Sequence, residues 1–430
     1  MDTKSAEIEK SAIESPSEEQ IENGSDLDFL ADCQPREKRL IRKIDFRLLP
    51  ILGGLYSIAL VDRTNISNAR VAGMEQELKL YIGNRYSIAL VVFFIPYFIF
   101  ELPSNIVLRK VGSANWLSFI ALAWGTLMLG CGFIKNYESL VAFRVLIGFF
   151  EAGFFPACII EGLITQIVAI WAYFLIIDFP DKATKKGFLT ENEGKFIAHR
   201  IEEDRKDSKP DPLTWGKLGT HLCDWKLWFF AIMLMSTTLP SYAFAYFSPV
   251  IIRGMGYSAS MANLMSAPPT IFSCFAALFT SWAADRFRIR APFIVFQCLL
   301  GITGLMLVAY GQSNGVRYFG MFLGKAGCQG NVPAILAYQT NNIRYQSKRS
   351  VGSALQIGFG AIGGIMASTV FRQVDAPKYI PGLWVTTGAQ FLIMVLVAIS
   401  TLVFMKRNKE VDNGTCKRPI EGLEGFKYTI

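Results

Sequence analysis

The sequence predicts an all-α, polytopic membrane protein built from two helical bundles, and three observations predict it. Apolar runs of about 20 residues, the length a helix needs to cross the hydrocarbon core, recur from Phe46 to Met405 with only short polar breaks. Charged residues make up 18% of the 430 positions against 52% hydrophobic ones, below the roughly one quarter of an ordinary soluble domain. A single long polar stretch, 181–225, divides the runs into a front group and a back group.

In order, residues 1–45 read as a cytoplasmic tail. The first 34 are acidic and poor in aromatics, a composition that favours disorder, and no signal peptide opens the chain. Arg36, Lys38, Arg39, Arg42, Lys43 and Arg47 then form a basic block that holds the N-terminus on the cytoplasmic side. The front bundle, 46–179, has apolar runs at 48–66, 86–108, 115–134, 140–159 and 160–179. A cytoplasmic linker, 180–225, follows. The back bundle, 226–405, has six more, at 226–250, 264–283, 291–311, 318–340, 351–371 and 381–405, before a cytoplasmic tail, 406–430. That gives eleven spans.

Eleven conflicts with the charges. Arg286, Arg288 and Arg290, then Arg344, Lys348 and Arg349, then Lys406, Arg407 and Lys409 place alternate loops of the back half inside. The linker must be inside too. The N-terminus and the Arg109-Lys110 turn are also inside, which brings 140–159 back to the cytoplasmic side near Cys158; one further crossing would leave the linker outside. A single helix over 140–179 would be about 60 Å long at 1.5 Å per residue, twice the core thickness. A re-entrant segment over 160–179 needs a polar face that "GLITQIVAIWAYFLII" lacks. The favoured reading is that a span and its loops are absent between Cys158 and Glu161.

Other classes are excluded by composition. Eight scattered cysteines with no C-x-x-C and two histidines in a polar segment argue for free thiols and against a metal centre. The net charge of +8 lies in short clusters between apolar runs, not along one face, so no nucleic-acid partner is expected. Gly358, Gly360 and Gly363 fit G-x-G-x-x-G but lie within a span, where small residues serve helix packing. No nucleophile–base pair or phosphate loop is present, so neither an enzyme nor a cofactor is expected. Asn65-Ile-Ser67 fits a glycosylation acceptor at the membrane edge.

Asp62-Arg63-Thr64-Asn65, "ELPSN", "RVLIGFFEAGFFP" from Arg144 to Pro156, and "WAADRFRIRAP" from Trp282 to Pro292 together resemble the major facilitator superfamily. Within it they are similar to the anion:cation symporter branch and its fungal allantoate and nicotinic acid permeases. The resemblance runs from about Arg36 to Lys409 and implies two six-helix halves joined by a cytoplasmic loop. This chain departs from it where the charges conflict: "FFPAC", which ends the family's fourth helix, runs straight into what resembles its sixth. The fifth helix is missing, leaving eleven spans instead of twelve.

Arg144 and Glu151 are seven apart, so they share one helix face, and charges inside a span are costly unless they face a cavity or a partner. Either they line a cavity, or Arg144 snorkels to the interface with Glu151 as its structural partner. By resemblance Glu151 matches a proton-coupling carboxylate and Arg144 its neighbouring arginine. Asp62 and Arg63 either cap the first span or serve as a second protonation site and a cation for a substrate carboxylate. The back half offers polar and aromatic candidates rather than charges: Tyr242, Tyr246, Gln329, Asn331 and Gln356, with Tyr56 in the front half. Each contacts substrate or serves helix packing. Glu101, Asp285, Arg286 and Arg290 match inner-gate positions of the superfamily, with loop anchoring as the alternative.

The resemblance thus implies a secondary transporter of small organic anions such as nicotinate or allantoate. It would work by proton symport and alternating access, as a monomer, multi-pass in the plasma membrane. The alternatives are a sensor-like relative that binds without transport and an inactive shortened product.

Overall fold

The computed structural model describes residues 66–111, 113–150, 215–372, 375, 378–415, 419–422 and 425–430, with Phe46. Phe46 apart, these belong to one compact unit of the chain. Every regular element among them is helical, and no strand occurs among the described residues. The protein is an all-α, polytopic membrane protein: among the described residues, five stretches are long and apolar enough to cross a bilayer.

The front group holds α1 (Arg85–Val111), α2 (Ser113–Cys131) and α3 (Tyr137–Phe150). A helical stretch, 66–77, precedes them, passing through a π turn at Arg70–Met74 with Gly73 at φ 139°. The expected span 48–66 lies, but for its last residue, outside the described residues. The back group runs α4 (Trp215–Leu222), α5 (Trp225–Gly254), α6 (Ala259–Met265), α7 (Ala267–Phe287), α8 (Ala291–Tyr310), α9 (Asn314–Asn341), α10 (Gln346–Val370) and α11 (Ile380–Asp412). What reads as one apolar run near 264–283 is two helices. They part at Ser266, and Pro268 and Pro269 open α7, where proline's missing N–H costs nothing.

Between helices in lipid there is no hydrophobic drive, so close packing relies on small residues. The α8–α9 pair shows this most clearly: a Cβ added to Gly327 would lie 2.2 Å from the Gly301 backbone nitrogen. On α10, a Cβ at Gly363 would lie 2.3 Å from the Thr238 hydroxyl of α5. That hydroxyl donates to the Gly360 carbonyl at 3.1 Å. The glycine motif of α10 is thus a packing seam. Phe94 of α1 sits under Gly364 of α10, which ties the front helices to the back ones. Phe275, Leu278 and Phe279 on α7 and Leu402 on α11 point outward, as lipid-facing residues do.

Residues 419–422 and 425–430 are bound to the helix ends around Asp224. Glu421 accepts from Lys226 and, at 2.7 Å, from Lys348, whose Nζ also reaches Asp224 at 2.6 Å. The Tyr428 ring stacks on Phe404 of α11 at 4.3 Å. Asn342 exchanges two hydrogen bonds with Thr429, and Asn408 two with Tyr428.

Candidate functional site

Arg144 lies on α3 and is 1% exposed. Its position follows from Gly148 one turn later, where a Cβ would meet the Phe93 carbonyl of α1 at 2.2 Å. The lack of a side chain there lets α3 approach α1 and puts the Arg144 guanidinium 5.7 Å from the Phe93 ring centroid. A cation over an aromatic face is attracted by the ring quadrupole. From Phe93 the rings continue into the back half. Phe93 meets Phe94 edge-on at 4.9 Å, Phe94 meets Tyr242 of α5 at 5.1 Å, and Tyr242 stacks on Tyr246 at 5.8 Å with the planes 17° apart.

Tyr246 marks the other end of this column. Its carbonyl accepts from the Ser67 and Tyr86 hydroxyls. The Arg70 guanidinium lies 4.2 Å over the Tyr86 ring and donates from two nitrogens to Glu75. Arg70 and Glu75 are not among the sequence candidates; the π turn between them is what brings residues five apart together. Ser67, the third position of the glycosylation pattern, is wholly buried.

The remaining candidates are placed separately. Gln329 accepts from Ser273 of α7 at 2.7 Å. Asn331 is wholly buried against α8, donating to Cys298 at 3.2 Å. Gln356 is also wholly buried and donates to the Phe230 carbonyl of α5 at 3.4 Å. Asp285 accepts from Arg290 within its own loop, and Arg286 is exposed. Tyr56, Asp62, Arg63 and Glu151 lie outside the described residues, as does the side chain of Glu101.

The expectation that the back half carries no intramembrane charge needs correction. Lys325 lies mid-way along α9 and is 4% exposed. Its Nζ donates to the Thr270 hydroxyl at 2.8 Å and to the Ser266 carbonyl at 3.3 Å. The signal was in the sequence, a lone lysine in "FLGKAGCQGN".

A buried guanidinium beside a column of aromatic rings suits a planar anion: the fork of the arginine takes a carboxylate by two parallel hydrogen bonds and the rings take an aromatic body. Among known proteins, the family model for the Major Facilitator Superfamily matches residues 158–368. An uncharacterized transporter of Schizosaccharomyces pombe is 27% identical over 436 residues, covering 89% of this chain and 86% of its own length. The high-affinity nicotinic acid transporter of Saccharomyces cerevisiae is 25% identical, covering 87% and 79%.

Over residues 158–368 the chain is similar to the major facilitator superfamily.

It is a polytopic membrane protein, and solved structures share its fold. A bacterial homolog of the human lysosomal transporter Spinster, inward-facing and unoccupied, has a TM-score of 0.52 at 13% identity, covering 84% of this chain and 95% of its own. The superfamily transporter FucP in the outward conformation has 0.51 at 14%, covering 81% and 97%. The superfamily member hxnP of Emericella nidulans is 25% identical over 446 residues, yet that alignment draws on 90% of this 430-residue chain. Such a relative carries residues inside the matched range that have no counterpart here.

Proposed function

We propose that the protein carries small organic carboxylates, of the size and shape of nicotinate, across the membrane by proton symport and alternating access. The observation that carries this reading is Arg144, buried in a membrane helix with its guanidinium against Phe93, at the head of a column of rings that reaches Tyr242 and Tyr246. The name of the yeast nicotinic acid transporter supports the substrate class. In this reading Arg144 and Arg63 take the carboxylate, and Asp62 and Glu151 take the proton. Protonating either carboxyl weakens its hold on the neighbouring arginine and leaves that cation free for the substrate anion. The front bundle, 46–179, and the back bundle, 226–405, joined by a cytoplasmic linker, alternate about the site. The protein works as a monomer in the plasma membrane.

A second reading has its own observation. The relatives' extra residues within the matched range, together with the family match taking up the chain at residue 158, favour a shortened form that lacks one span at Cys158. One assay separates the readings: uptake of labelled nicotinate by yeast cells lacking their own carrier. Accumulation that collapses with the proton gradient, and that Glu151→Gln converts to exchange without accumulation, supports the symporter. Full accumulation by that variant would overturn the coupling. No uptake by this chain, with uptake restored when a relative's intervening segment is inserted after Cys158, identifies the shortened form. Binding without uptake by either identifies a sensor.

A further inference from the structure

We infer that Lys325 and Gln329 of α9, with Thr270 of α7, form a second carboxylate-binding site, distinct from Arg144. The inference rests on the reading of the chain as a carrier of organic carboxylates. Lys325 is the twelfth of the 28 residues of α9, roughly 16 Å from its start at 1.5 Å per residue and so close to the middle of the helix. A charged group at that depth normally has a counter-charge, a cavity or a substrate.

The contacts of α9 show how the site is built. One stripe of the helix faces α7: the Tyr318 hydroxyl donates to the Met265 carbonyl, Phe322 meets Phe272, Lys325 meets Thr270, and Gln329 meets Ser273. A neighbouring stripe, with Gly320, Gly324 and Gly327, is pressed against α8. Residues 325 and 329 are one turn apart, so an ammonium and a primary amide stand side by side. Among the described residues no carboxylate reaches Lys325. Two of its three N–H groups have acceptors, Thr270 and Ser266, and both acceptors are neutral. The Oε1 of Gln329 is taken by Ser273, while among the described residues its Nε2 meets no acceptor. The cluster is open: Thr270 is exposed and Gln329 is half-buried.

Two spare donors one helical turn apart, one of them charged, at the open edge of a buried cluster, match the two oxygens of a carboxylate. A structural role alone does not require the charge, since a neutral donor could bridge the Ser266 carbonyl and the Thr270 hydroxyl without the cost of burying an ammonium. An anion that docks there supplies the missing counter-charge. Where Arg144 already holds one carboxylate, this site receives the anion at another point of its path.

The test uses the full chain purified in detergent, with tritiated nicotinate as probe and unlabelled nicotinamide, its uncharged isostere, as competitor. Of the two nicotinate affinities per chain, Lys325→Met is expected to weaken one at least tenfold and leave the other, and nicotinamide binding, unchanged, while Lys325→Arg keeps both within threefold of the wild type. Nicotinate affinity unchanged in Lys325→Met overturns this site and leaves the carrier reading intact. No nicotinate binding by the wild type overturns both. If Lys325→Met does not fold, Gln329→Leu decides in its place: a loss of threefold or more supports the site, and an unchanged affinity overturns it.

Discussion

Tyr242 is the residue on which the two halves of the candidate site depend. It stands edge-on to Phe94 of α1 and stacks on Tyr246 of its own helix, so it links the Arg144 side of the column to α5. Aromatic pairs of this geometry contribute about 0.5–1.5 kcal/mol beyond their buried area. Tyr242→Ala is accordingly expected to weaken binding of an aromatic carboxylate about two- to tenfold, while Tyr242→Phe, which keeps the ring, stays near wild type; equilibrium binding of nicotinate to the two variants checks this. A tyrosine hydroxyl that itself grips the carboxylate would show the reverse, a large loss in the phenylalanine variant. Arg144 and Tyr242 could be read from the sequence because a charge or an amphipathic ring stands out in an apolar run. Lys325 stands out as much, but its meaning depends on having no carboxylate near it among the described residues, and that is a tertiary fact. Gln329 and Asn331 show a second limit. Two apart on a helix, they point about 200° from each other, so they cannot serve one ligand. The structure turns the first to α7 and the second to α8.

At the level of helices, the spans were readable because a bilayer imposes a length and an apolar composition on each of them. Their ends were less so. The π turn at Arg70 and the break at Ser266 depend on backbone geometry that hydropathy does not record. The glycine seams were partly legible, through G-x-G-x-x-G in α10, but which glycines touch a neighbour required the packed helices. Gly327 and Gly388 make the contrast testable. A Cβ on Gly327 would fall 2.2 Å from the Gly301 nitrogen and 2.4 Å from the Gln297 carbonyl, backbone atoms that cannot turn aside, whereas one on Gly388 meets nothing within 4 Å. Overpacking of this kind costs about 1–3 kcal/mol. Gly327→Ala is expected to lower the melting temperature in detergent by several degrees. Gly388→Ala, in the exposed-glycine regime of a helix interior, should be neutral or stabilising by up to about 1 kcal/mol. Equal melting temperatures for the two variants would mean that α8 and α9 are not held by this seam.

Across the whole molecule, the strap formed by residues 419–422 and 425–430 joins parts of the back half that are far apart in sequence: Asp224 and Lys226 at the start of α5, Asn342 and Arg344 after α9, Lys348 in α10, and Phe404 and Asn408 in α11. Nothing in its composition marks it as more than a polar tail, because a strap of this kind is defined by what it reaches. Its centre is electrostatic. Glu421 is nearly buried between two lysines, and removing one partner from a buried charged cluster typically costs about 3–5 kcal/mol. Glu421→Ala should therefore release the strap, read as faster hydrogen exchange at 425–430. The pH dependence follows from Asp224. Burial alone would raise its carboxyl, but Lys226 and Lys348 outweigh that and hold it below the ordinary carboxylate range. A group whose folded value is depressed stabilises the folded arrangement fully above its unfolded value, near 3.9, and loses that contribution as pH falls through the folded one. Lys226 and Lys348 face it, Glu421 shares both lysines, and burial raises the nearby Tyr428 hydroxyl despite the counteracting Lys226. The strap should thus stay docked, with constant protection after correction for intrinsic exchange, from about pH 5 to 8, and loosen only below about pH 4. Asp224→Asn should speed exchange at neutral pH and flatten the acid response. Release at pH 6 in the wild-type chain would show that a group other than Asp224 controls the strap.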